Sequence, residues 1–511
     1  MDHQFAIAPC GHDGLDPRGG GPIQAGTRRN DCDFHLNPHL QPAPLLHRAA
    51  AMSNSTTYFF CGIGGSGMLP LASIVRARGS RVAGSDRSLD AGRLGSKFDY
   101  LRSLGIPLHT QDGSGLGEGM TLVTSAAVES TIPDVVRAVE LGLDRVTRPQ
   151  LLADLLNAAH KSVAVGGTSG KSTVTGMIGW ILHACHRQPT VMNGAVMKNF
   201  VSPSSPFSSA LVGDPELFVS EVDESDGSIA LYRPNVAVLT NVSLDHHSMD
   251  ELRSLFGAFL SRAGQAVVNL DDPEARAMAD NVRDAAGYGF DSPGAAFIGR
   301  DLQLEPNDCS FTVEANGDSA RVELQVPGRH NASNALAAIA AAVSLGVALP
   351  DAAAALGRFE GLKRRLEIVG TANGVTIIDD FAHNPDKIAA SLATLAAHPG
   401  RLLVMFQPHG FSPLAKMGDE LAATFAEGLR NGDRLYLPDP VYQGGTVDQA
   451  RGADWLVEQV RKLGGDAQHI ADRAAIADAL VAEAATGDRI VIMGARDDTL
   501  SDYAADLLER L

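Results

Sequence analysis

The segment 163–173, VAVGGTSGKST, restricts the fold of this chain more than any other. An apolar run is followed by a glycine-rich turn and a helical pattern, which predicts a strand, a loop and a helix in a parallel α/β sheet. In such a loop backbone N–H groups surround phosphates, Lys171 reaches the β- and γ-phosphates, and the hydroxyl of Ser172 or Thr173 faces Mg²⁺. The longer form of this motif requires glycine at position 165, where this chain has valine. We therefore interpret the loop as a shorter phosphate-binding form.

A second glycine-rich turn lies nearer the N-terminus. Residues 62–67, GIGGSG, follow a strand-like run at 58–61 and precede a helical pattern at 69–78, while Asp86 ends the next strand-like run. Glycines let the backbone approach a pyrophosphate at a helix N-terminus. The turn is compatible with a dinucleotide such as NAD or with a UDP-sugar. Two nucleotide-type sites in one chain argue against a simple dehydrogenase.

Strand and helix patterns alternate from residue 58 towards the C-terminus, which predicts α/β domains built on parallel sheets. A new strand begins near residue 162, and a third series of strands follows a helix at 334–345. At 511 residues the chain is too long for one ordinary core. We therefore expect at least three domains.

Composition excludes several classes of protein. The formal net charge of −18 argues against a duplex-DNA binder, and the absence of a long apolar run argues against a membrane span. The N-terminus lacks the basic-then-apolar order of a signal peptide. Five scattered cysteines without a CxxC pair indicate neither a disulfide framework nor a zinc site. We expect a cytoplasmic protein that binds neither nucleic acid nor membrane.

Residues 1–51 differ from the rest of the chain. They are rich in glycine, proline and histidine and have no apolar periodicity, so we interpret them as disordered. A histidine-rich metal-binding tract is one alternative. A second is that translation starts at Met52, shortly before the first strand-like run.

Acidic residues and histidines follow two later strand-like runs. Residues 221–226, EVDESD, come after the run at 217–220, and residues 241–247, NVSLDHH, come after the run at 236–240. Several carboxylates at one strand end favour an offsetting cation, and a histidine at a neighbouring strand end can join Mg²⁺ coordination. A solvated acidic loop and a structural histidine are the alternatives.

Several motifs occur in the same order as in one enzyme family. They are the segments 167–173, 221–226, 241–246, 327–334, 363–367 and 379–385. As a set they resemble the Mur ligases of peptidoglycan synthesis, over roughly residues 56–500. The resemblance implies an ATP-dependent ligase, with Mg²⁺, that joins UDP-N-acetylmuramate to an amine through an acyl phosphate.

The same resemblance implies a three-domain α/β architecture. After an N-terminal extension at 1–52, we expect a Rossmann-like UDP-sugar-binding domain at 53–160 and a central phosphate-loop ATP-binding domain at 161–360. A C-terminal Rossmann-like acceptor-binding domain should occupy 361–511. The family likeness also implies a monomer or weak dimer.

Roles for individual residues follow from the resemblance. The residues implied in substrate binding are Gly64, Gly65, Ser66, Gly67, Asp86, Ser125 and His409. Those implied in ATP binding are Gly167, Thr168, Gly170, Lys171, Ser172, Thr173, His330, Asn331, Asn334, Arg365 and Asp380. The implied metal ligands are Ser172, Glu221 and His246, and the implied catalytic residues are Lys171, His246, Arg365 and His383. The resemblance leaves open whether His383 or His246 takes the proton from the attacking amine.

Some positions depart from the family pattern. Ser169 stands where the phosphate loop usually has histidine, and Gly410 stands where the alanine-adding branch has arginine. We expect L-alanine as the acceptor, with Arg496 as a replacement cation, and a tripeptide beginning with L-alanine as the alternative. A ligase for another acid and a nucleotide-binding regulator without turnover remain further alternatives.

Deletion of residues 1–51 should leave both the melting temperature and the ligase activity unchanged, because the segment offers no apolar face that could dock on a folded domain. The measurement compares thermal unfolding and turnover of the truncated and full-length chains. A lower melting temperature for the truncated chain would show that the segment packs against the rest.

Overall fold

The computed structural model describes residues 56–126, 128–244, 247–441, 450–495, 497 and 499–511. The expectations for residues 1–51, for His246 and for Arg496 lie outside the described residues. Three sheets follow one another along the described chain.

The first sheet has five parallel strands in the order β3-β2-β1-β4-β5. Its elements are β1 (Thr57–Cys61), α1 (Met68–Ala77), β2 (Arg81–Ser85), α2 (Arg87–Asp90), α3 (Gly95–Ser103), β3 (Leu108–His109), β4 (Met120–Thr124), α4 (Pro133–Glu140), β5 (Asp144–Thr147) and α5 (Arg148–Ala158). Phe59, Phe60 and Cys61 of β1 are fully buried, which explains the apolar run that predicted this strand. Because β1 lies between β2 and β4, the turn after it opens at the middle of the sheet edge.

The central sheet has ten strands in the order β15-β14-β13-β12-β11-β10-β6-β9-β7-β8. Its elements are β6 (Lys161–Gly166), α6 (Lys171–Ala184), β7 (Pro189–Met192), β8 (Ala210–Leu211), β9 (Asp214–Glu221), β10 (Val236–Leu239), α7 (Met249–Ser261), β11 (Gln265–Asn269), α8 (Pro273–Ala279), β12 (Ala285–Gly289), β13 (Phe297–Leu304), β14 (Cys309–Ala315), β15 (Asp318–Leu324), α9 (Arg329–Ser344) and α10 (Leu349–Leu356). Strand β6 pairs in parallel with β9 on one side and β10 on the other.

Both edges of the central sheet differ from the parallel arrangement that the sequence predicted. Strand β8 is antiparallel to β7 at one edge, and at the other edge β14 is antiparallel to both β13 and β15. Asn316 and Gly317 join β14 to β15 with φ angles of 54° and 88°. Two consecutive residues in the left-handed region suit a tight hairpin, and Asn-Gly is a strong sequence signal for one. The alternating strand and helix patterns gave no indication of this extension.

The third sheet has six strands in the order β16-β17-β21-β18-β19-β20, and only the β16–β17 pair is antiparallel. Its elements are β16 (Glu367–Ala372), β17 (Val375–Asp380), α11 (Pro385–Ala396), β18 (Leu402–Gln407), α12 (Phe411–Gly428), β19 (Arg434–Leu437), α13 (Ala453–Lys462), β20 (Ala467–His469), α14 (Arg473–Glu483), β21 (Arg489–Gly494) and α15 (Thr499–Arg510). Among the described residues, no helix is long and apolar enough to span a bilayer.

The first and central sheets share one continuous apolar cluster. Phe60 and Leu71 from the first sheet region, Leu156 from α5, and Phe218 and Phe256 from the central region all belong to it. Helix α5 contacts β4 and β5 on one side and β6 and β9 on the other. The third sheet packs on two apolar clusters made only of residues from 366 onwards. The first two sheets are therefore joined by buried apolar surface.

A short linker connects the central and third sheets. Met197 and Leu362 form an isolated antiparallel bridge, and Lys363 N donates to Val196 O at 2.9 Å. Arg364 and Leu366 then adopt φ angles of 59° and 47°, a region that L-residues with side chains rarely occupy. The linker thus turns sharply where it leaves the central sheet.

Substitution Leu156→Ala should destabilise the first two domains together, because Leu156 is fully buried in the cluster that they share. Truncation of a buried leucine costs about 2–5 kcal/mol of unfolding free energy. Thermal unfolding should show a lower midpoint. The matched control is Leu463→Ala, where 58% of the residue is exposed and little change is expected. Equal midpoints for the two variants would contradict the shared core.

Candidate functional site

The phosphate-type loop between β6 and α6 has a conformation that only glycine accommodates at two positions. Gly167 has φ +129° and Gly170 has φ +85°. A Cβ on Gly167 would lie 2.1 Å from Thr240 Oγ1, and a Cβ on Gly170 would lie 2.6 Å from Asn334 Oδ1. Both glycines are therefore required by backbone angle and by close neighbours.

Hydrogen bonds from the segment after β10 hold this loop in place. Thr168 Oγ1 donates to Ser243 O at 3.1 Å and accepts from Ser243 N at 3.0 Å. Ser169 N donates to Asn241 Oδ1 at 2.9 Å, and Ser169 O accepts from Thr240 Oγ1 at 2.6 Å. Thr168 thus fixes the loop in position. The segment that begins at Asn241, singled out in the sequence, forms hydrogen bonds with the loop directly.

Lys171 and Ser172 begin α6, and each contacts a carboxylate from the end of β9. Lys171 Nζ donates to Gly167 O at 2.7 Å and lies 3.0 Å from Glu224 Oε2. Ser172 Oγ donates to Glu221 Oε2 at 2.6 Å. Thr173 is half-buried in the same first helical turn. The loop, the lysine and the acidic strand end therefore form one cluster.

The oxygen atoms of Ser172 and Glu221 are ligands of the kind that a hard divalent cation prefers. A hydroxyl and a carboxylate within 2.6 Å of each other match the oxygen ligands of Mg²⁺, which usually keeps several waters and phosphate oxygens as further ligands. A Cβ on Gly194 would lie 2.0 Å from Glu221 Oε1, so glycine is needed for this carboxylate to fit. Within the described ranges, no group of three or more His, Cys, Asp or Glu residues could hold a metal.

The first glycine-rich turn is stabilised by Asp86. Gly64 N donates to Asp86 Oδ2 at 2.9 Å, and Ser88 N donates to Asp86 Oδ1 at 2.8 Å, which caps α2. Gly62 N and Ile63 N donate to Ser85 O at 2.8 and 3.0 Å. The carboxylate of Asp86 therefore holds the turn against the end of β2.

A cleft of about 360 Å³ extends from the first glycine-rich turn to the end of β9. The lining residues from the first domain are Gly62, Gly65, Ser66, Gly67, Met68, Ser125, Arg148 and Leu152. Those from the central domain are Met192, Asn193, Gly194, Ser220, Glu221 and Asp223. Of the residues predicted at the UDP-sugar site, Gly65, Ser66, Gly67 and Ser125 line this cleft, whereas Gly64 and Asp86 support the turn from behind.

Arg148 is a cleft residue that the sequence analysis missed. It begins α5, and a Cβ on Gly67 would lie 3.1 Å from Arg148 Cδ, so the arginine packs against the start of α1. Burial alone would raise the pKa of Asp223, but hydrogen bonds from Ser225 and the charges of Lys171 and Arg148 lower it. Arg148 therefore supplies positive charge between the two domains. A lone arginine outside any motif gives no signal in the sequence.

The N-terminus of α9 approaches the phosphate-type loop. Asn331 Nδ2 donates to Pro327 O at 2.7 Å, and Asn334 is the residue against which Gly170 packs. His330 is exposed, and its Nδ1 lies 3.4 Å from Thr394 Oγ1 in α11 of the third domain. The structure thus brings these three predicted residues to the junction of the loop and the third domain.

Arg365 is the linker residue that faces the acidic strand end. Its guanidinium lies over the ring of Phe381, 4.5 Å from the ring centroid. Burial lowers the pKa of Arg365, and the negative charges of Asp380 and Glu221 oppose that change. Asp380 is itself buried, which raises its pKa, and it accepts from Leu366 N at 3.2 Å. The guanidinium therefore lies in the field of carboxylates from both the central and third domains.

His383 and His409 lie together at the third domain's edge, with ring centroids 5.4 Å apart. Burial, followed by the charge of Lys387, lowers the pKa of His383 to about 3. His383 Nδ1 lies 2.8 Å from Phe381 O, and a carbonyl only accepts, so Nδ1 carries the proton. His383 is therefore neutral at pH 7, and its Nε2 is an acceptor.

Gly410 begins α12 with φ +140°, a conformation that a residue with a side chain rarely adopts. The atom nearest to a Cβ at this position would be Pro413 Cδ, at 3.8 Å. A Cβ at Gly410 would therefore make ordinary van der Waals contact with its described neighbours, while the backbone favours glycine.

Three family-level profiles match the chain in succession. The profile described as Mur ligase family, catalytic domain, matches residues 57–160. The Mur ligase middle domain matches residues 165–342, and the profile described as Mur ligase, glutamate ligase domain, matches residues 364–496. Each match coincides with one of the three sheets.

Individual relatives agree with these profiles. A UDP-N-acetylmuramate–L-alanine ligase of Streptomyces griseus is 34% identical over 469 residues, covering 88% of this chain and 96% of the relative. The ligase of the same name from Streptomyces coelicolor is 36% identical over 471 residues, covering 88% and 97%. The crystal structure of the UDP-N-acetylmuramate-alanine ligase MurC of Thermotoga maritima superposes with a TM-score of 0.73 at 26% identity, covering 89% of this chain and 98% of that one. With this fold, these motifs and these relatives, the chain belongs to the Mur ligase family.

Proposed function

We propose that this enzyme forms an amide bond between the carboxylate of UDP-N-acetylmuramate and the amino group of L-alanine, and that ATP is converted to ADP and phosphate. The observation that carries the proposal is the cleft that runs from the first glycine-rich turn to Glu221, beside the phosphate-type loop. A nucleotide-linked acid in that cleft would present its carboxylate to the γ-phosphate of ATP. Curated relatives with the same activity in their names support the choice of substrates.

The first chemical step is phosphoryl transfer to the carboxylate. A carboxylate oxygen attacks the γ-phosphorus, the bond to the β,γ-bridging oxygen breaks, and ADP leaves with an acyl phosphate as the other product. Negative charge spreads over the transferring group, so fixed cations stabilise the transition state. Lys171 beside the loop and Arg365 from the linker are the cations that we assign to this task.

Ser172 and Glu221 would hold Mg²⁺ through their oxygen atoms, with His246 as a further ligand implied by the family resemblance. When bound, the metal would neutralise phosphate charge and orient the oxygens for in-line transfer. On the protein side, Glu221 is positioned for this by the end of β9 and by the close approach of Gly194.

In the second step the neutral amine attacks the acyl carbon and phosphate leaves. The attacking nitrogen must lose a proton, and the neutral His383 has an acceptor nitrogen, Nε2, for an N–H of the acceptor. We propose that His383 orients the amine and that oxygens of the leaving phosphate complete proton removal, because a metal-bound His246 has no acceptor nitrogen left. His330, Asn331 and Asn334 would bind the nucleoside of ATP, and Arg148 would add positive charge along the acid substrate.

The main alternative for the acceptor is a short peptide that begins with L-alanine. The observation that favours it is the absence of a side chain at Gly410, where the alanine-adding branch has arginine. A murein peptide ligase of Psychrobacter arcticus shares the fold, with a TM-score of 0.65 at 24% identity. In either case we propose a cytoplasmic monomer or weak dimer that requires neither nucleic acid nor membrane.

Substitution Lys171→Ala should lower kcat by about 10³-fold or more, because the ammonium acts on the charge that develops at the transferring phosphate. Product formation by coupled ADP detection measures the loss. Lys462→Ala, on the exposed face of α13, is the control for removal of a lysine charge and should keep full activity.

The same substitution leaves the Glu224 carboxylate without its lysine partner, so a second variant separates stability from chemistry. The double variant Lys171→Ala/Glu224→Gln removes the orphaned charge. It should melt at least as high as Lys171→Ala and remain equally inactive. Recovery of activity in the double variant, or retained activity in Lys171→Ala, would place ATP elsewhere in the chain.

The acceptor is tested by kcat/KM for L-alanine and for L-alanyl-γ-D-glutamyl-diaminopimelate with the same UDP-sugar. We expect L-alanine to be preferred. A tenfold or greater preference for the peptide would overturn that expectation and point to Gly410, which lacks the arginine of the alanine-adding branch. No product with either acceptor, from protein that binds ATP, would argue for a different acid or amine.

A further inference from the structure

One buried carboxylate beside the phosphate-type loop has no part in the chemistry described so far. Glu224 is 2% exposed, and its Oε2 and Oε1 lie 3.0 and 3.3 Å from Lys171 Nζ. A carboxylate is removed from water at a large energetic cost unless a cation compensates for it. Lys171 is that cation, so the lysine that we assign to ATP already has a fixed protein partner.

The loop that carries Glu224 is itself held rigidly. Glu224 O accepts from Gly227 N at 3.0 Å and from His247 Nε2 at 3.2 Å. Ser225 N donates to Asp223 Oδ1 at 3.0 Å. The backbone at Glu224 and Ser225 is therefore fixed by three hydrogen bonds, two of which involve the side chains of His247 and Asp223.

The number of N–H donors on Lys171 limits how many acceptors its ammonium group can contact. An ammonium group has three N–H donors. Gly167 O accepts at 2.7 Å, and Glu224 Oε2 and Oε1 accept at 3.0 and 3.3 Å. The two shorter contacts fix the direction of the ammonium, and the longest, to Oε1, is the one that a phosphate oxygen would replace.

We propose that Glu224 is a positioning residue that, together with Gly167 O, fixes the ammonium of Lys171 for phosphoryl transfer. The inference rests on the proposed function in that Lys171 serves the transferring phosphate. Glu224 acts through the lysine and has the same sign of charge as the triphosphate, so it opposes ground-state binding of ATP. Its removal should lower kcat while ATP affinity stays equal or becomes tighter.

The test uses two substitutions in the full-length enzyme. Glu224→Met removes the acceptor at similar length, and loss of fixed geometry should lower kcat by about 10²-fold. Glu224→Gln keeps an oxygen acceptor and should restore kcat to within about fivefold of the wild type, since one neutral hydrogen bond replaces a charged one. Calorimetric titration with a non-hydrolysable ATP analogue should give a Kd no weaker than that of the wild type in both variants.

A third measurement requires neither the sugar acid nor an amine. Acetylation of Lys171 by N-hydroxysuccinimidyl acetate, followed by mass spectrometry, reports how firmly the ammonium is held. We expect faster acetylation in Glu224→Met than in the wild type and a near wild-type rate in Glu224→Gln. The control pair Glu216→Met and Glu216→Gln, at an exposed position of β9, the strand that precedes the Glu224 loop, should alter none of these quantities.

The outcomes separate the two proposals. Unchanged acetylation and unchanged kcat in Glu224→Met would overturn the positioning role. Equal losses of kcat in Glu224→Met and Glu224→Gln, or a parallel loss of kcat, ATP affinity and melting temperature, would overturn it as well. A wild type that forms no product, while Lys171 acetylation responds to Glu224→Met as expected, would instead refute the proposed function.

Discussion

The arrangement of this site depends on one set of backbone hydrogen bonds, those that keep β9, β6 and β10 side by side and parallel. The register pairs Val165 with Glu221 on one side and Gly166 with Leu239 on the other. All three strands therefore end at the same level of the sheet edge. The phosphate-type loop leaves the middle strand, the carboxylates leave one neighbour, and the segment that clamps the loop leaves the other. A shift of one residue in either register would move Glu221 away from Ser172.

Much of this site could be predicted from local sequence, and what could not has a physical reason. The two glycine-rich turns and the helices after them formed as predicted, because loop glycines and apolar runs are local signals. The order of strands in the sheet is set by contacts between distant segments, so the pattern could not reveal that β6 separates β9 from β10. Arg148 was missed for the same reason, since only the fold brings the start of α5 to Gly67. The β14–β15 hairpin was different, because the Asn316-Gly317 pair is a local sequence signal for a tight hairpin. The prediction of parallel sheets, based on alternating strands and helices, did not use it.

Charge at the site is balanced locally although the chain carries a net charge of −18. Lys171 faces Glu224, Arg364 lies 3.2 Å from Asp379, and Arg365 is in the field of Asp380. Each of these cations comes with a carboxylate of its own. A triphosphate bound here, as we propose, would add negative charge to groups that are already paired. The carboxylate partners of Lys171 and Arg365 would then set the direction in which each cation points.

The three domains are joined in two physically different ways. Apolar packing joins the first two domains, whereas a linker and polar contacts join the third to the central one. The first and central domains share a buried apolar cluster, so the cleft between the glycine-rich turn and Glu221 is aligned when the chain folds. The third domain has its own clusters and meets the central domain through the linker, with its bridge at Leu362 and left-handed residues at Arg364 and Leu366, and through polar contacts such as His330 with Thr394. Arg365 lies between those two residues, so its approach to Glu221 is set by backbone angles of the linker. The cleft and the end of β9 are thus aligned by packing, whereas the contribution of the third domain depends on a few backbone torsions and hydrogen bonds.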